Sequence, residues 1–246
     1  MKKLTIAMLT GLMSVSGWSA CTYNLDVTQA TLDANQPGTK VFPIRNNQKS
    51  SFLISPTNGQ TPKYVAVDNN SFTQQSLALI TPPVNGLFAY EFKIKIPTYN
   101  LQSGEGLTFF PIMGTGVNGG NNTQGIVMMY LNDSMMNVFS LNDSNSKNAI
   151  IFSPQVTTSG YQTLGIYVNQ DSKQVGYILN GVNQGYVYNY SQIATGYKFG
   201  YTASLNGFNS SSPNIGKEIS IELVTDATKM TQTYPTGTKD ICGNTI

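Results

Sequence analysis

Two glutamates four residues apart, Glu218 and Glu222, with Ser220 between them, are the sharpest acid–base feature of this 246-residue chain. They lie in Glu218-Ile219-Ser220-Ile221-Glu222, whose polar–apolar alternation is that of a strand, so the three polar side chains share one face. Carboxylates spaced i and i+4 on a strand are roughly 13 Å apart at the backbone. A retaining glycosidase holds its pair ~5–5.5 Å apart, which here would take inward bending or a bulge. Exposed carboxylates on a core strand are the plainer account. A third glutamate, Glu105, stands between Gly104 and Gly106. It could accept a hydrogen bond from a ligand hydroxyl, or be a solvated loop residue. Tyr186, Tyr188 and Tyr190 alternate and would share a face if one strand runs through all three. Such a face stacks on sugar rings and offers hydroxyls, whereas core packing of one or two of them is the plainer account.

Other chemistries are closed off by composition. The chain has no histidine, so neither a Ser-His-Asp triad nor a Cys-His nucleophile can be assembled. No glycine loop leads into a helix to cradle phosphate. Met128, Met129, Met135 and Met136 read as core filling rather than metal ligands. Asn132-Asp133-Ser134 and Asn142-Asp143-Ser144 read as turns, with calcium bound by oxygen ligands as the alternative. No cofactor and no metal are expected.

The ends of the chain point to export. A basic head (Lys2, Lys3), an apolar run from Leu4 to Val15 and Gly17-Trp18-Ser19-Ala20 have the order of a bacterial-type secretory signal, residues 1–20. No later stretch is long and apolar enough to span a bilayer. Without Lys2 and Lys3 the 14 basic residues become 12, matching the 12 acidic ones. A neutral chain with one arginine, Arg45, lacks the basic footprint of nucleic-acid binding. Cys21 and Cys242, the two cysteines, flank the mature chain. In an oxidising compartment they read as a disulfide, periplasmic or extracellular. A lipid anchor on Cys21 is the alternative, which Trp18 at minus three suits poorly and which would strand Cys242 as a free thiol.

The segments that must position these residues read as strands. Phe88, Tyr90, Phe92, Ile94 and Ile96 alternate with Glu91, Lys93 and Lys95, a half-buried strand with the charged set facing outward. Comparable runs are 23–27, 40–44, 51–55, 64–68, 77–80, 107–112, 125–131, 136–141, 149–152, 164–168, 175–179, 182–188, 197–204 and 219–224. Asn180-Gly181 between two of them predicts a tight hairpin, since both central residues must take positive φ. No stretch shows helical periodicity beyond a turn or two. Loops 114–124, 142–148 and 206–214 are rich in Gly, Asn and Ser, the usual seat of binding in a sandwich. One all-β domain from 21 to 246 accounts for these features.

Four of these segments, in this order, resemble the concanavalin A-like jelly roll of legume-type lectins and related glucanases. Glu105-Gly106-Leu107-Thr108-Phe109-Phe110 resembles the family's Asp-Gly-hydrophobic-small-Phe-Phe motif, with Glu replacing Asp. Residues 161–188 are similar to its strand–turn–strand Asn-Gly segment. Phe199-Gly200-Tyr201-Thr202-Ala203 is similar to its Gly-Phe-Ser-Ala strand, and Ile219-Ser220-Ile221-Glu222-Leu223 to its last core strand. The resemblance implies a two-sheet antiparallel jelly-roll sandwich and a sugar contact at Glu105. The family's metal-bearing strand carries Glu and Asp two apart, but Ile126-Val127-Met128-Met129-Tyr130-Leu131 has no carboxylate, and without histidine a transition-metal site of the lectin type cannot be built. Related jelly-roll hydrolases carry Glu-x-Asp-x-(x)-Glu, and Ser220 stands where the helper Asp would be. The chain also resembles a family of secreted Gram-negative bacterial proteins with no assigned activity. The expectation is therefore non-catalytic binding of a glycan or another surface ligand through Glu105, Gly106, Tyr186 and Tyr188. The alternatives are a glycosidase or lyase using Glu218 and Glu222, and a structural envelope or adhesion module.

Overall fold

Alternation of apolar and polar residues becomes paired strand through much of the described chain. The computed structural model describes residues 21–69, 80–95, 101–116, 124–130, 137–143, 150–152, 160–189, 193 and 195–246, with backbone alone between 109 and 152 and at Tyr188. The stretch 1–20 expected to be a secretory signal, the run at 77–79, Tyr190 and the side chains of the four methionines and of the two Asn-Asp-Ser turns lie outside the described residues. Among the described residues no helix is long and apolar enough to cross a membrane.

Among the described residues, fifteen strands form two stacked sheets. The seven-stranded sheet contains β1 (Thr39–Val41), β4 (Lys63–Val67), β13 (Gly196–Asn206), β6 (Gly106–Gly116), β7 (Gln124–Tyr130), β8 (Asn137–Asp143) and β9 (Ile150–Phe152), in that spatial order. The eight-stranded sheet runs β12 (Val182–Asn189), β11 (Gln174–Leu179), β10 (Tyr161–Asn169), β5 (Leu87–Lys95), β14 (Glu218–Val224), β3 (Lys49–Leu53) and β2 (Ile44–Asn46), with β15 (Lys239–Asp240) also on β5. This is the expected all-β jelly-roll sandwich. Two short pairs depart from antiparallel order: β1 on β4 and β15 on β5 run parallel. A seven-residue helix, Gln29–Asn35, capped by Thr28, precedes β1.

The core is where the two inner faces meet. Phe88, Tyr90, Phe92 and Ile94 of β5 and Ile219, Ile221 and Leu223 of β14 point inward, opposite Tyr197, Phe199 and Tyr201 of β13. Tyr90 meets Phe199 edge-on at 5.2 Å between ring centroids. Each such side chain contributes on the order of 1.5–3 kcal/mol by leaving water. Asn180 (φ 49) and Gly181 (φ 87) close the β11–β12 hairpin with both central residues at positive φ, as the dipeptide predicts.

The first residues do not form the strand expected at 23–27. Cys21, Tyr23, Leu25 and Val27 are buried and their neighbours exposed, so the strand-like alternation is real. Single bonds replace a ladder: Leu25 N–H donates to Asn47 O at 3.2 Å and Val27 N–H to Val67 O at 2.9 Å. Cys21 and Cys242 form the expected disulfide, closing 221 residues with their Cα atoms 5.8 Å apart.

The outward-facing charged set of β5 needs one correction. Lys93 and Lys95 are half-buried as expected, but Glu91 is fully buried. The cause is the chain between β14 and β15, which leaves the sheet at Asp226 and crosses the outer face. Thr231 N–H and Gln232 N–H each donate to Glu91 Oε1 at 2.7 Å, Tyr234 Oη donates to it at 3.2 Å, and Thr231 Oγ1 donates to Oε2 at 3.1 Å. Gly165 lies beside Glu91 in the β10–β5 register. A Cβ there would come within 2.5 Å of Tyr234 Oη, so the missing side chain is what lets the strap lie flat. Burial, and then the negative charge of Glu91, push the Tyr234 phenol well above its ordinary range, which keeps it a donor.

Candidate functional site

Glu105 does not project from a loop tip; its residue is 1 % exposed. A turn closed by Glu105 N–H donating to Gln102 O (2.9 Å) brings the side chain back over its own backbone. Gln102 N–H then donates to Glu105 Oε2 at 2.8 Å. A second donor to the same oxygen is Asn214 Nδ2 at 2.9 Å, from a segment 109 residues away. Asn214 is itself fixed, its N–H donating to Ser212 Oγ (3.1 Å) and its Oδ1 accepting from Lys217 Nζ (2.9 Å). Burial holds the Lys217 ammonium below its ordinary value, and the Glu105 charge works in the opposite direction.

These loops are locked together at one end of the sandwich. Gly207 has φ 71, and a Cβ on it would lie 1.9 Å from Gly104 O, so only glycine permits the approach. Thr57 N–H donates to Phe208 O at 2.8 Å, joining the loop after β3 to the same end. Gly106 pairs with Asn206 at the start of β6, and a Cβ there would meet only ordinary contacts, the nearest at 3.5 Å. The cluster leaves one atom over. Glu105 Oε1 is buried and has no hydrogen-bond donor among the described residues. Such an atom, where nearly all buried polar atoms are partnered, points to a missing donor.

Tyr186 and Tyr188 stand elsewhere, on the edge strand of the eight-stranded sheet. Successive β11 residues Val175 and Gly176 pair with Tyr188 and Tyr186, so Val187 is an extra residue and the expected alternation breaks between the two tyrosines. Val187 packs against the core. Tyr186 is 42 % exposed, meets Tyr167 edge-on at 5.3 Å and accepts a 3.3 Å bond from Asn169 Nδ2. Its exposed ring stands beside the Asn169 amide.

Glu218, Ser220 and Glu222 do share the outer face of β14, as the alternation requires. Their neighbours make them a charge ladder. Glu222 lies between Lys49 and Lys93 in register. Glu218 accepts a 2.9 Å bond from Lys95, which holds its carboxyl below the ordinary carboxylate range. A carboxylate kept ionised by a lysine is poorly placed to donate a proton to a leaving group. Cys21, Asp240 and Cys242 also gather, but the two sulfurs are spent on the disulfide and Asp240 accepts from the Cys242 and Asn244 N–H groups. Sequence reading missed Gln102, Asn214 and Lys217. Loop 206–214 stood out by composition, but no spacing links Asn214 to Glu105.

A family model described as a domain of unknown function (DUF4882) matches residues 2–244. No curated protein matches the sequence. Similar solved structures include the carbohydrate recognition domain of Emp46p, 14% identical over 76% of this chain and 95% of that one, with a TM-score of 0.43. The endo-1,3-beta-glucanase of Streptomyces sioyaensis is 13% identical over 71% of this chain and 75% of its own, with a TM-score of 0.44. A tetrameric galectin of the ball sponge Cinachyrella is 11% identical over 66% of this chain and 99% of its own, at 0.34. These are likenesses of architecture.

Proposed function

The chain belongs to the DUF4882 family, whose description assigns no activity, and on that footing we propose that it is an exported protein that binds carbohydrate at the Glu105 end of the sandwich without cleaving it. The observation that carries this reading is Glu105 Oε1, a buried carboxylate oxygen with no donor among the described residues, beside an Oε2 that has two. A sugar hydroxyl is a neutral donor of the size and geometry that oxygen lacks, and a bond to a charged acceptor contributes about 1.5–3 kcal/mol. A Cβ added to Gly104 would meet nothing within 4 Å, so the turn beside Glu105 has open space on that side for a ligand. Asn214 and Lys217 hold the other oxygen still, so the acceptor is oriented before ligand arrives.

The decisive variant is Glu105→Gln. It keeps an oxygen for Gln102 and Asn214 and replaces the orphan acceptor with an amide donor. On a glycan array, wild type should bind at least one sugar class, and E105Q should bind it at least tenfold more weakly with little change in melting temperature. Absence of any wild-type binding, or equal binding by E105Q, refutes the proposal.

A further inference from the structure

Along one edge of the sandwich the chain passes twice between the sheets. Residues 21–27 make the first passage, bonded through Leu25 N–H to Asn47 O beside β2 and through Val27 N–H to Val67 O of β4. The second runs from β1 in one sheet to β2 in the other, with Phe42 N–H donating to Val65 O at 3.3 Å. Between the passages lies a cleft of about 450 Å³ lined by Asn24, Leu25, Asp26, Pro43, Arg45 and Asn47. That volume lies within the range of small-molecule sites. Both walls are tied to sheet backbone, so the cleft exists before any ligand arrives.

The in–out alternation of residues 21–27 buries Leu25 and turns Asn24 and Asp26 outward. From the opposite wall comes Arg45, the one arginine of the chain. Its Nη1 donates to Val27 O, which anchors the guanidinium across the passage, and no acceptor among the described residues takes its other donors. Asp26 accepts from Asn69 N–H through Oδ1 at 2.8 Å, and no donor among the described residues reaches Oδ2. The ion pairs among the described residues are Lys95–Glu218 and Lys229–Asp226, so Arg45 and Asp26 share a cleft without neutralising each other.

We propose that this cleft binds a small zwitterion of the amino-acid class, with its anionic end on Arg45 and its cationic end on Asp26. A simple anion would gain Arg45 but face the Asp26 charge, and a simple cation would meet the reverse. Only a ligand carrying both signs satisfies both walls. A planar guanidinium grips a carboxylate through paired N–H donors, the amides of Asn24 and Asn47 supply neutral bonds, and Pro43 offers an apolar wall for the side chain. The site is independent of the Glu105 cluster, and neither proposal depends on the other.

The test is an amide-resonance titration of the oxidised protein with L-leucine, and with two analogues that each lack one charge, N-acetyl-L-leucine and L-leucinamide. L-Leucine should shift residues 24–26 and 45–47, and each analogue should bind roughly tenfold to a hundredfold more weakly. Arg45→Gln and Asp26→Asn should each weaken L-leucine by the same factor. Asp26→Asn keeps an acceptor for Asn69 N–H, so it decides the matter if Arg45→Gln unfolds. No shifts at millimolar L-leucine, shifts confined to the Glu105 end, equal binding of a single-charge analogue, or a fully binding Asp26→Asn each overturns the proposal.

Discussion

Glu91 and Glu105 are both buried carboxylates with no lysine or arginine bonded to them among the described residues, yet they are solved in opposite ways. Glu91 receives two backbone N–H groups, a threonine hydroxyl and a tyrosine hydroxyl, so both of its oxygens are satisfied. Glu105 receives two donors on one oxygen and, among the described residues, none on the other. A buried carboxylate with a full donor set is a structural rivet: its role is to hold the 226–238 strap against the sheet. A buried carboxylate with one oxygen open carries a cost the fold itself does not need, and that asymmetry separates a candidate site from a fastening.

The comparison is most strongly tested at the disulfide that ties Cys21 to the chain just beyond the strap. Replacing Cys21 and Cys242 together by serine removes the 221-residue closure and should lower stability by about 3–5 kcal/mol in a urea melt. The bonds around Glu105 lie outside that closure's anchor, so E105Q binding behaviour should be the same in the reduced and oxidised proteins. Next in size is Glu91→Ala, which leaves the Thr231 and Gln232 N–H groups without an acceptor. It should cost about 3 kcal/mol and speed hydrogen exchange at those two amides while Gln102 stays protected. Equal acceleration at all three would mean that Glu91 and Glu105 are not separate devices.

The smallest effect belongs to the half-exposed pair Lys95–Glu218, which sharpens the contrast by being neither rivet nor site. Glu218→Gln should cost no more than about 1 kcal/mol at neutral pH. Because Lys95 holds Glu218 below its ordinary value of 4.5, the pair's contribution is present above that pH and fades as pH falls through the folded value. Lys95 is held above its ordinary 10.5, so its share is lost only as pH rises beyond that. The wild-type minus E218Q stability difference should therefore be flat near neutrality and shrink on acidification. A difference that grew toward acid would show that the ion pair is absent.

What could be read from sequence was whatever depended on near neighbours. The β5 and β14 alternations, the Asn180-Gly181 turn and the inward set Phe88, Tyr90, Phe92 and Ile94 all follow from a two-residue period and local φ preference. The register break between Tyr186 and Tyr188 escaped for a local reason that periodicity hides, an extra residue at Val187. Glu91 failed for a distant one: an outward position is solvated only if nothing crosses it, and what crosses it lies 140 residues further along.

The residue pattern alone determined that strands such as β5 and β14 would form, which side of those two would be greasy and that two cysteines would meet, because those outcomes follow from side-chain period and the scarcity of other partners. Tertiary structure decided which carboxylates are covered and how many donors reach each one. Donors such as Asn214, Thr231 and Gln232 are brought in by loop paths whose course depends on the packing of the whole sandwich, and no local rule of spacing encodes that distance.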